Sequence, residues 1–356
     1  MDKILELLSK YNCDLIRGDK TTLEFLTENF TNYIVDLKKS IDISDNPLIG
    51  ESVCKLLEEK IKDIELNCNA LLNVLELYFD GNIIAASNKA FGVFERMKPE
   101  MMTRYSGAFK HETYFRIRSD ISFPLERKEM FHIPTTKRHL VATERYSMPG
   151  HPCLYLASGP ELCWYECGRP SKFTIAKFDI PQADNYFMKF IDFSEKLIPL
   201  SHAFVCWFYN EPEKNKVENY LLKHICTYPL RAACSVKVRN SSANFKEEYI
   251  IPQLLLQWVV DDDYFDGIRY ESCSSHDDVK ALGAHNIVLI SRKFDSEGYD
   301  INLRKNIGIG IPQRYNVKQL RFKWKMRRFT KVRKRPLKSD PFLWGMESIS
   351  QDYEKF

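Results

Sequence analysis

Apolar residues recur at three- and four-residue steps from the first residue to about residue 105, which is the spacing that lines one face of a helix. The pattern runs through the segments ILELLSKY, PLIGESVCKLLEEKIKDI, NALLNVLELYF and NKAFGVFERM. Because these segments follow one another without an intervening strand pattern, we predict an all-helical N-terminal domain over residues 1–105.

Beyond residue 110 the apolar positions gather into short runs, which are typical of strands. The runs are TYFRIR, PCLYLA, FTIAKFDI, GIRY and HNIVLIS, with turn residues between them. Helical stretches such as EEYIIPQLLLQWVV do not alternate regularly with these runs, which favours an antiparallel or mixed sheet. We predict an α+β fold, with a mixed-sheet domain over residues 106–315 and a C-terminal segment over residues 316–356.

The composition is that of a folded chain, with 44% hydrophobic and 28% charged residues. No apolar run is long enough to span a membrane, and the N-terminus carries acidic residues where a signal peptide would be basic and then apolar. We therefore expect a cytoplasmic protein with no membrane partner. Ten cysteines are scattered without a CxxC pair, which disfavours a zinc site and a disulfide scaffold alike.

The segment RYSMPGHPCLYLASGPELCWYECGRP combines a cation, an apolar run and a carboxylate. Its CLYLA run predicts a strand buried on both faces, and Ser158 with Glu161 has the spacing of a capping box that starts a helix. The strand-to-helix turn favours anions, with Arg145 upstream and Glu166 two turns into the helix. A ligand with phosphates and a developing positive charge would fit, and an ordinary surface pair of Arg145 and Glu166 is the alternative.

These residues resemble the core of the RES domain, a family named for an arginine, a glutamate and a serine. RYS-x-PG-x-PCLYLA resembles the signature around the family's second arginine, and Glu166 follows it where the family has its glutamate. YFRIR resembles the opening strand with its arginine at Arg116, and YFDGIRYESCSS resembles the segment that carries the serine, here Ser272. The resemblance covers roughly residues 114–292, and the N-terminal helices resemble a HEPN-like extension.

The sequence departs from the RES pattern at three places. Tyr146 and Ser147 stand where the family has tryptophan and asparagine, and Glu271 stands where it has proline. A long insertion separates Glu166 from Ser272. These differences concern the substrate contacts more than the fold.

The resemblance implies an ADP-ribosyltransferase-like fold and an enzyme that consumes NAD+ as a substrate, without a metal or a cofactor. RES proteins are typically toxins that halt growth until a partner blocks them, which implies an inhibitory antitoxin or a sensor as partner and a role in anti-phage defence. We also expect a homo-oligomer. The acceptor of the ADP-ribose is left open, so the alternatives are an NAD+ glycohydrolase, a phosphorylase and a protein ADP-ribosyltransferase.

The resemblance also implies roles for individual residues. Cleavage of the nicotinamide–ribose bond passes through an oxocarbenium-like cation, which the carboxylate of Glu166 would stabilise. Arginines bind a pyrophosphate bidentately, which suits Arg116 and Arg145, and Arg118 is the alternative to Arg116. Ring stacking on the NAD+ and simple core packing are both open for Tyr155. The predicted catalytic residues are Glu166, Arg116 and Ser272, and the predicted NAD+-binding residues are Arg116, Arg145, Tyr155 and Ser272.

Two competing functions involve nucleic acid. Arg104 and His111 stand seven positions apart and resemble the arginine–histidine motif of HEPN ribonucleases, a spacing that also arises by chance. Residues 317–335 carry ten Lys/Arg and no acidic residue, with aromatic residues that could stack on bases. The alternation RFKWK fits a strand with one solvated face equally well. The interleaved aromatic residues are Phe322, Trp324 and Phe329.

Overall fold

The computed structural model describes residues 2–12, 15–47, 49–102, 112–119, 125–180, 188–194, 211–273, 284–317 and 353–355. The chain divides into two compact units, which we call the helical unit and the sheet unit. The helical unit comprises Met1–Gly107, Glu144–Tyr146 and Glu195–Asp261. The sheet unit comprises Ala108–Thr143, Ser147–Ser194 and Asp262–Phe356.

The helices and strands are numbered in chain order. The α-helices are α1 (Lys3–Lys10), α2 (Thr22–Ser40), α3 (Glu51–Phe79), α4 (Ile83–Met102), α5 (Pro160–Glu166), α6 (Glu211–Cys226), α7 (Tyr228–Ser235), α8 (Ile250–Asp261) and α9 (Ile301–Asn306). The strands are β1 (Glu112–Ser119), β2 (Cys153–Ala157), β3 (Lys172–Ile180), β4 (Phe190–Asp192), β5 (Gly267–Glu271), β6 (His285–Ile290), β7 (Gly308–Gly310), β8 (Gln313–Asn316) and β9 (Tyr353–Glu354). In the ranges that the structure describes, no helix combines the length and the apolar character that crossing a bilayer requires.

Helix α2 shows why the N-terminal sequence forms helices. Thr21 and Glu24 form a capping box, in which the Thr21 hydroxyl accepts from the Glu24 N–H and the Glu24 carboxylate accepts from the Thr21 N–H. The buried positions of the helix then recur at three- and four-residue steps, at Leu26, Phe30, Tyr33 and Leu37. The prediction of a helical N-terminal region is confirmed.

Helices α6, α7 and α8 belong to the helical unit although they follow the first strands in the chain. The Tyr33 hydroxyl of α2 donates to the Ile225 carbonyl at 2.7 Å, and the Trp258 indole N–H donates to the Glu95 carboxylate at 2.8 Å. The sequence prediction placed these helices in the mixed-sheet domain over residues 106–315. The observed division differs because their apolar faces pack on the N-terminal helices.

The sheet unit contains one mixed sheet with the strand order β4-β5-β6-β2-β1-β3-β7-β9, and β8 also pairs with β3. Strands β4 and β5 are parallel, and the other described pairs are antiparallel. The prediction of a mixed α+β fold is confirmed. Strand β9 comes from the predicted C-terminal segment over residues 316–356 and pairs with β7, so this part of that segment belongs to the sheet.

Alternation along the strands gives the sheet two faces, which we call the first face and the second face. The core on the first face includes Tyr114, Leu154, Leu156, Phe178 and Ile287. The core on the second face includes Ile117, Ala157 and Ile175, with Leu162 and Trp164 of α5. Helix α5 therefore covers the second face, and its C-terminal end is exposed there.

Gly267 begins β5 at a point where the backbone of β6 comes very close. A Cβ atom at this residue would lie 2.2 Å from the carbonyl oxygen of Val288, which cannot move aside. Gly267→Ala is therefore expected to lower the free energy of unfolding of the sheet unit by about 3 kcal/mol, as measured by urea unfolding. Gly92→Ala is the control, since its Cβ would meet only the flexible end of Arg96 at 3.8 Å. A Gly267→Ala protein as stable as the parent would contradict the close approach.

His132 is a buried histidine whose two ring nitrogens are both hydrogen-bonded to the backbone. Its Nε2 accepts from the Asp300 N–H at 2.9 Å, so its Nδ1–H donates to the Ile133 carbonyl at 2.8 Å. Burial lowers the pKa of His132 to about 4. The unfolded chain takes up this proton near pH 6.5, so folding loses stability as the pH falls below that value, by about 2 kcal/mol at pH 5. An NMR titration in which the His132 ring protonates near pH 6.5 would contradict this expectation.

Candidate active site

The start of α5 is fixed by contacts other than those expected. Gly159 is the N-cap, Pro160 is the first helical residue, and no side chain caps the helix. The predicted capping box of Ser158 and Glu161 is therefore wrong. The Ser158 hydroxyl instead accepts from the His285 N–H at 2.9 Å, and the Ser158 N–H donates to the His285 carbonyl at 2.8 Å. Ser158 thus joins the end of β2 to the start of β6.

Glu166 is the last residue of α5 and is exposed. The helix ends after it because Gly168 and Arg169 both adopt positive φ angles, 75° and 58°, which an α-helix cannot contain. Pro170 then follows and cannot continue a helix. The short helix therefore presents the Glu166 carboxylate at its C-terminal end on the second face of the sheet.

Two side chains donate hydrogen bonds to this carboxylate, so that three residues form a cluster. The Glu166 Oε1 atom accepts a hydrogen bond from the Ser272 hydroxyl at 2.5 Å and another from the Asn286 amide at 3.0 Å. Ser272 follows the last residue of β5, and Asn286 is the second residue of β6, paired with Tyr270 of β5. Helix α5 follows β2, and β6 lies between β2 and β5 in the sheet. This strand order brings together two residues that the sequence predicts for the site, Glu166 and Ser272, although they are far apart in the chain.

Asn286 is a member of this cluster that the sequence analysis missed. The pattern of HNIVLIS predicts a strand and does not single out the asparagine within it. Asparagine is depleted in strands, and here it precedes the apolar run that starts at Ile287. The burial of this amide, at 7% exposure, is seen only in the structure, and an asparagine before an apolar run is a weak signal by itself.

Arg116 and Arg118 lie elsewhere in the sheet unit. Arg116 pairs with Ala176 of β3 and shares its side of β1 with Tyr114, which places both arginines on the first face. Burial, and then the charge of Arg118, lowers the pKa of Arg116 to about 9. Both guanidinium groups donate to the backbone carbonyl of Phe131. Among the described residues, no carboxylate lies within ion-pair distance of either arginine and no hydrogen bond joins them to Glu166.

Arg145 belongs to the helical unit. Its Nη1 atom donates to the carbonyls of Cys234 at 3.0 Å and Glu248 at 3.4 Å, and its Nη2 atom donates to the carbonyl of Val236 at 2.9 Å. The guanidinium also lies 5.2 Å from the centre of the Tyr249 ring, and the residue is only 7% exposed. These contacts give Arg145 a structural role, whereas the sequence analysis expected a phosphate contact or a surface pair.

Tyr155 lies in the middle of β2 opposite Val288 of β6 and is half-buried. Alternation places it on the second face, the face that also carries Asn286, while Leu154 and Leu156 enter the core on the first face. Its position is thus on the same side of the sheet as Glu166. Stacking on a ligand and packing in the core both remain open for this ring.

The remaining predicted residues fall outside the part of the chain that the structure describes. These are Arg104 and His111 of the predicted ribonuclease motif, and Phe322, Trp324 and Phe329 of the basic segment. Of residues 317–335, the structure describes only Val317. Within the described ranges, no group of three or more His, Cys, Asp and Glu side chains is arranged to hold a metal ion.

Comparison with curated proteins relates this chain to a protein of Bacillus subtilis (strain 168) named "Putative toxin YopC". The two sequences are 31% identical over 274 residues, which is 73% of this chain and 58% of that protein. The chain thus spans less than two thirds of the length of this relative. No protein-family model matches the chain, and no solved structure matches it. The RES and HEPN resemblances therefore stay predictions.

Proposed function

We propose that the chain is a toxin whose sheet unit consumes NAD+ by cleaving the nicotinamide–ribose bond. The observation that carries this proposal is the exposed Glu166 carboxylate, one oxygen of which is held by Ser272 and Asn286. The similarity to a protein named as a toxin supports the cellular role, and the resemblance of residues 114–292 to the RES domain supports the substrate.

The geometry suits a group that stabilises positive charge. No described residue donates a hydrogen bond to the Glu166 Oε2 atom, while the Oε1 atom has two donors. With one oxygen held, the other can face the ribose carbon on which positive charge develops as the bond to nicotinamide breaks. A serine hydroxyl combines one donor with acceptor lone pairs, which suits Ser272 to contact a ribose hydroxyl or the carboxamide. The carboxylate therefore acts mainly in the transition state.

The phosphate contacts of NAD+ are a separate part of the proposal. Arg116 and Arg118 stand two residues apart on β1 with no described carboxylate within ion-pair distance, although the charge of Glu129 acts on Arg118. They lie on the first face and Glu166 lies on the second face, so we do not assign the phosphate contact of an NAD+ bound at Glu166 to this pair. Arg145 is left out of the proposed site because three backbone carbonyls accept hydrogen bonds from its guanidinium.

Incubation of the purified full chain with NAD+, followed by identification of the products by mass, tests this function. Release of nicotinamide is expected in each case. The second product is ADP-ribose if water is the acceptor, ADP-ribose phosphate if phosphate is the acceptor, or a protein heavier by one ADP-ribosyl group. A folded protein that releases no nicotinamide, with and without added phosphate, would overturn the proposal.

A further inference from the structure

Asn286 is a buried amide whose side-chain NH2 group has one described acceptor, the Glu166 carboxylate. The residue is 7% exposed, and the residues that follow it, Ile287, Val288 and Leu289, are fully buried. Burial of an amide is unfavourable unless its polar atoms are hydrogen-bonded. The hydrogen bond from Asn286 Nδ2 to Glu166 Oε1, at 3.0 Å, offsets this cost. It also links the buried strand β6 to the exposed carboxylate.

The backbone around Asn286 is held on both sides. Asn286 pairs with Ala157 of β2 and with Tyr270 of β5. The preceding residue, His285, exchanges two hydrogen bonds with Ser158, and its ring lies 3.3 Å from the Tyr114 hydroxyl on the first face. The position of the Asn286 amide is therefore set by the centre of the sheet.

The two other members of the cluster are held less firmly. Ser272 lies one residue beyond the end of β5, and Glu166 is exposed at the last residue of a seven-residue helix. A glutamate side chain in such a place loses conformational freedom when it is fixed, so it needs an anchored partner to keep one orientation. Asn286 is the partner that belongs to the interior of the sheet.

We propose that Asn286 is a positioning residue, which fixes the Glu166 carboxylate by its Oε1 atom and so directs the Oε2 atom at the ribose. This role rests on the proposed NAD+-consuming function. Asn286 would not touch the reacting atoms, so it should affect turnover and leave the affinity for NAD+ nearly unchanged. Its effect should also vanish once the charge on Glu166 has been removed.

A double-mutant cycle tests this role. Asn286→Val keeps a residue suited to a strand but removes the donor, and kcat for NAD+ loss is expected to fall about 10-fold with KM within about twofold of the parent. In a Glu166→Gln background the same substitution should change kcat by less than about twofold. Asn306→Ala, which removes an exposed amide on α9 of the same unit, is the control and should leave kcat unchanged.

The possible outcomes distinguish a failure of the positioning role of Asn286 from a failure of the proposed NAD+-consuming function. If the effects of Asn286→Val and Glu166→Gln multiply in the double mutant, Asn286 acts independently of the carboxylate and the positioning role is overturned. Asn286→Leu, which has nearly the same shape without the two donors and adds no charge, replaces Asn286→Val if thermal melts show that the latter is unfolded, and the same cycle is measured. A folded wild-type chain that leaves NAD+ intact overturns both the proposed function and this role.

Discussion

Replacement of Glu166 by glutamine is expected to lower the rate of NAD+ consumption at saturating substrate by about 10²-fold or more. Glutamine has the same shape and can still accept from Ser272 and Asn286, so the substitution removes the charge and little else. The apparent affinity for NAD+ should change little, because the carboxylate is proposed to act on charge that develops only in the transition state. NAD+ loss over time, with a thermal melt on the same sample, measures the effect.

Glu161→Gln provides a matched control for this experiment, since Glu161 lies in the first turn of the same short helix. Its turnover should stay close to that of the parent. If Glu166 were an ordinary surface carboxylate, its replacement would alter stability by less than about 1 kcal/mol and leave turnover unchanged. A folded Glu166→Gln protein with the rate of the parent would thus remove Glu166 from the proposed mechanism.

Replacement of Arg145 by methionine is expected to destabilise the helical unit by about 3 kcal/mol or more. Three buried carbonyl oxygens, those of Cys234, Val236 and Glu248, would each lose a charged donor. Urea unfolding followed by circular dichroism at a helix-sensitive wavelength measures the loss. Arg239→Met is the control, because Arg239 forms an exposed pair with Asp19 whose removal should cost less than about 1 kcal/mol.

Arg145→Lys distinguishes the structural role from the role that the sequence suggested. A lysine keeps the charge but cannot direct a planar fork at three carbonyls, so stability should fall in this variant too. If Arg145→Lys is as stable as the parent and instead binds NAD+ markedly more weakly, the phosphate contact expected from the sequence is the better account of this residue.

Local sequence patterns predicted where helices and strands form better than they predicted which of these elements pack together. The three- and four-residue apolar spacing of α2 is set by one helix face, and the structure buries those positions. The same kind of pattern in EEYIIPQLLLQWVV predicted a helix, which the structure contains as α8. The pattern could not show that α8 packs on the N-terminal helices. That choice depends on contacts between residues such as Trp258 and Glu95, which are more than 160 positions apart.

The candidate site shows the same limit. Ser158 and Glu161 have the spacing of a capping box, yet a strand 127 residues away supplies the partner of the Ser158 hydroxyl. Glu166 and Ser272 were selected through family resemblance, and the strand order β5-β6-β2, with α5 directly after β2, brings them together. No local pattern could have located Asn286 beside them, because its role arises only when β6 lies between β2 and β5.

Each unit is assembled from separate stretches of the chain, and this interleaving affects how the protein can be made and divided. The helical unit is complete only when Glu195–Asp261 has joined Met1–Gly107, so the first 105 residues emerge from the ribosome without the partners of Tyr33 and Glu95. A truncated gene product that stops before α8 would expose those apolar faces. Expression of either unit alone therefore requires that its separate segments be joined through new linkers. A single cut of the chain near residue 105 would leave neither unit complete.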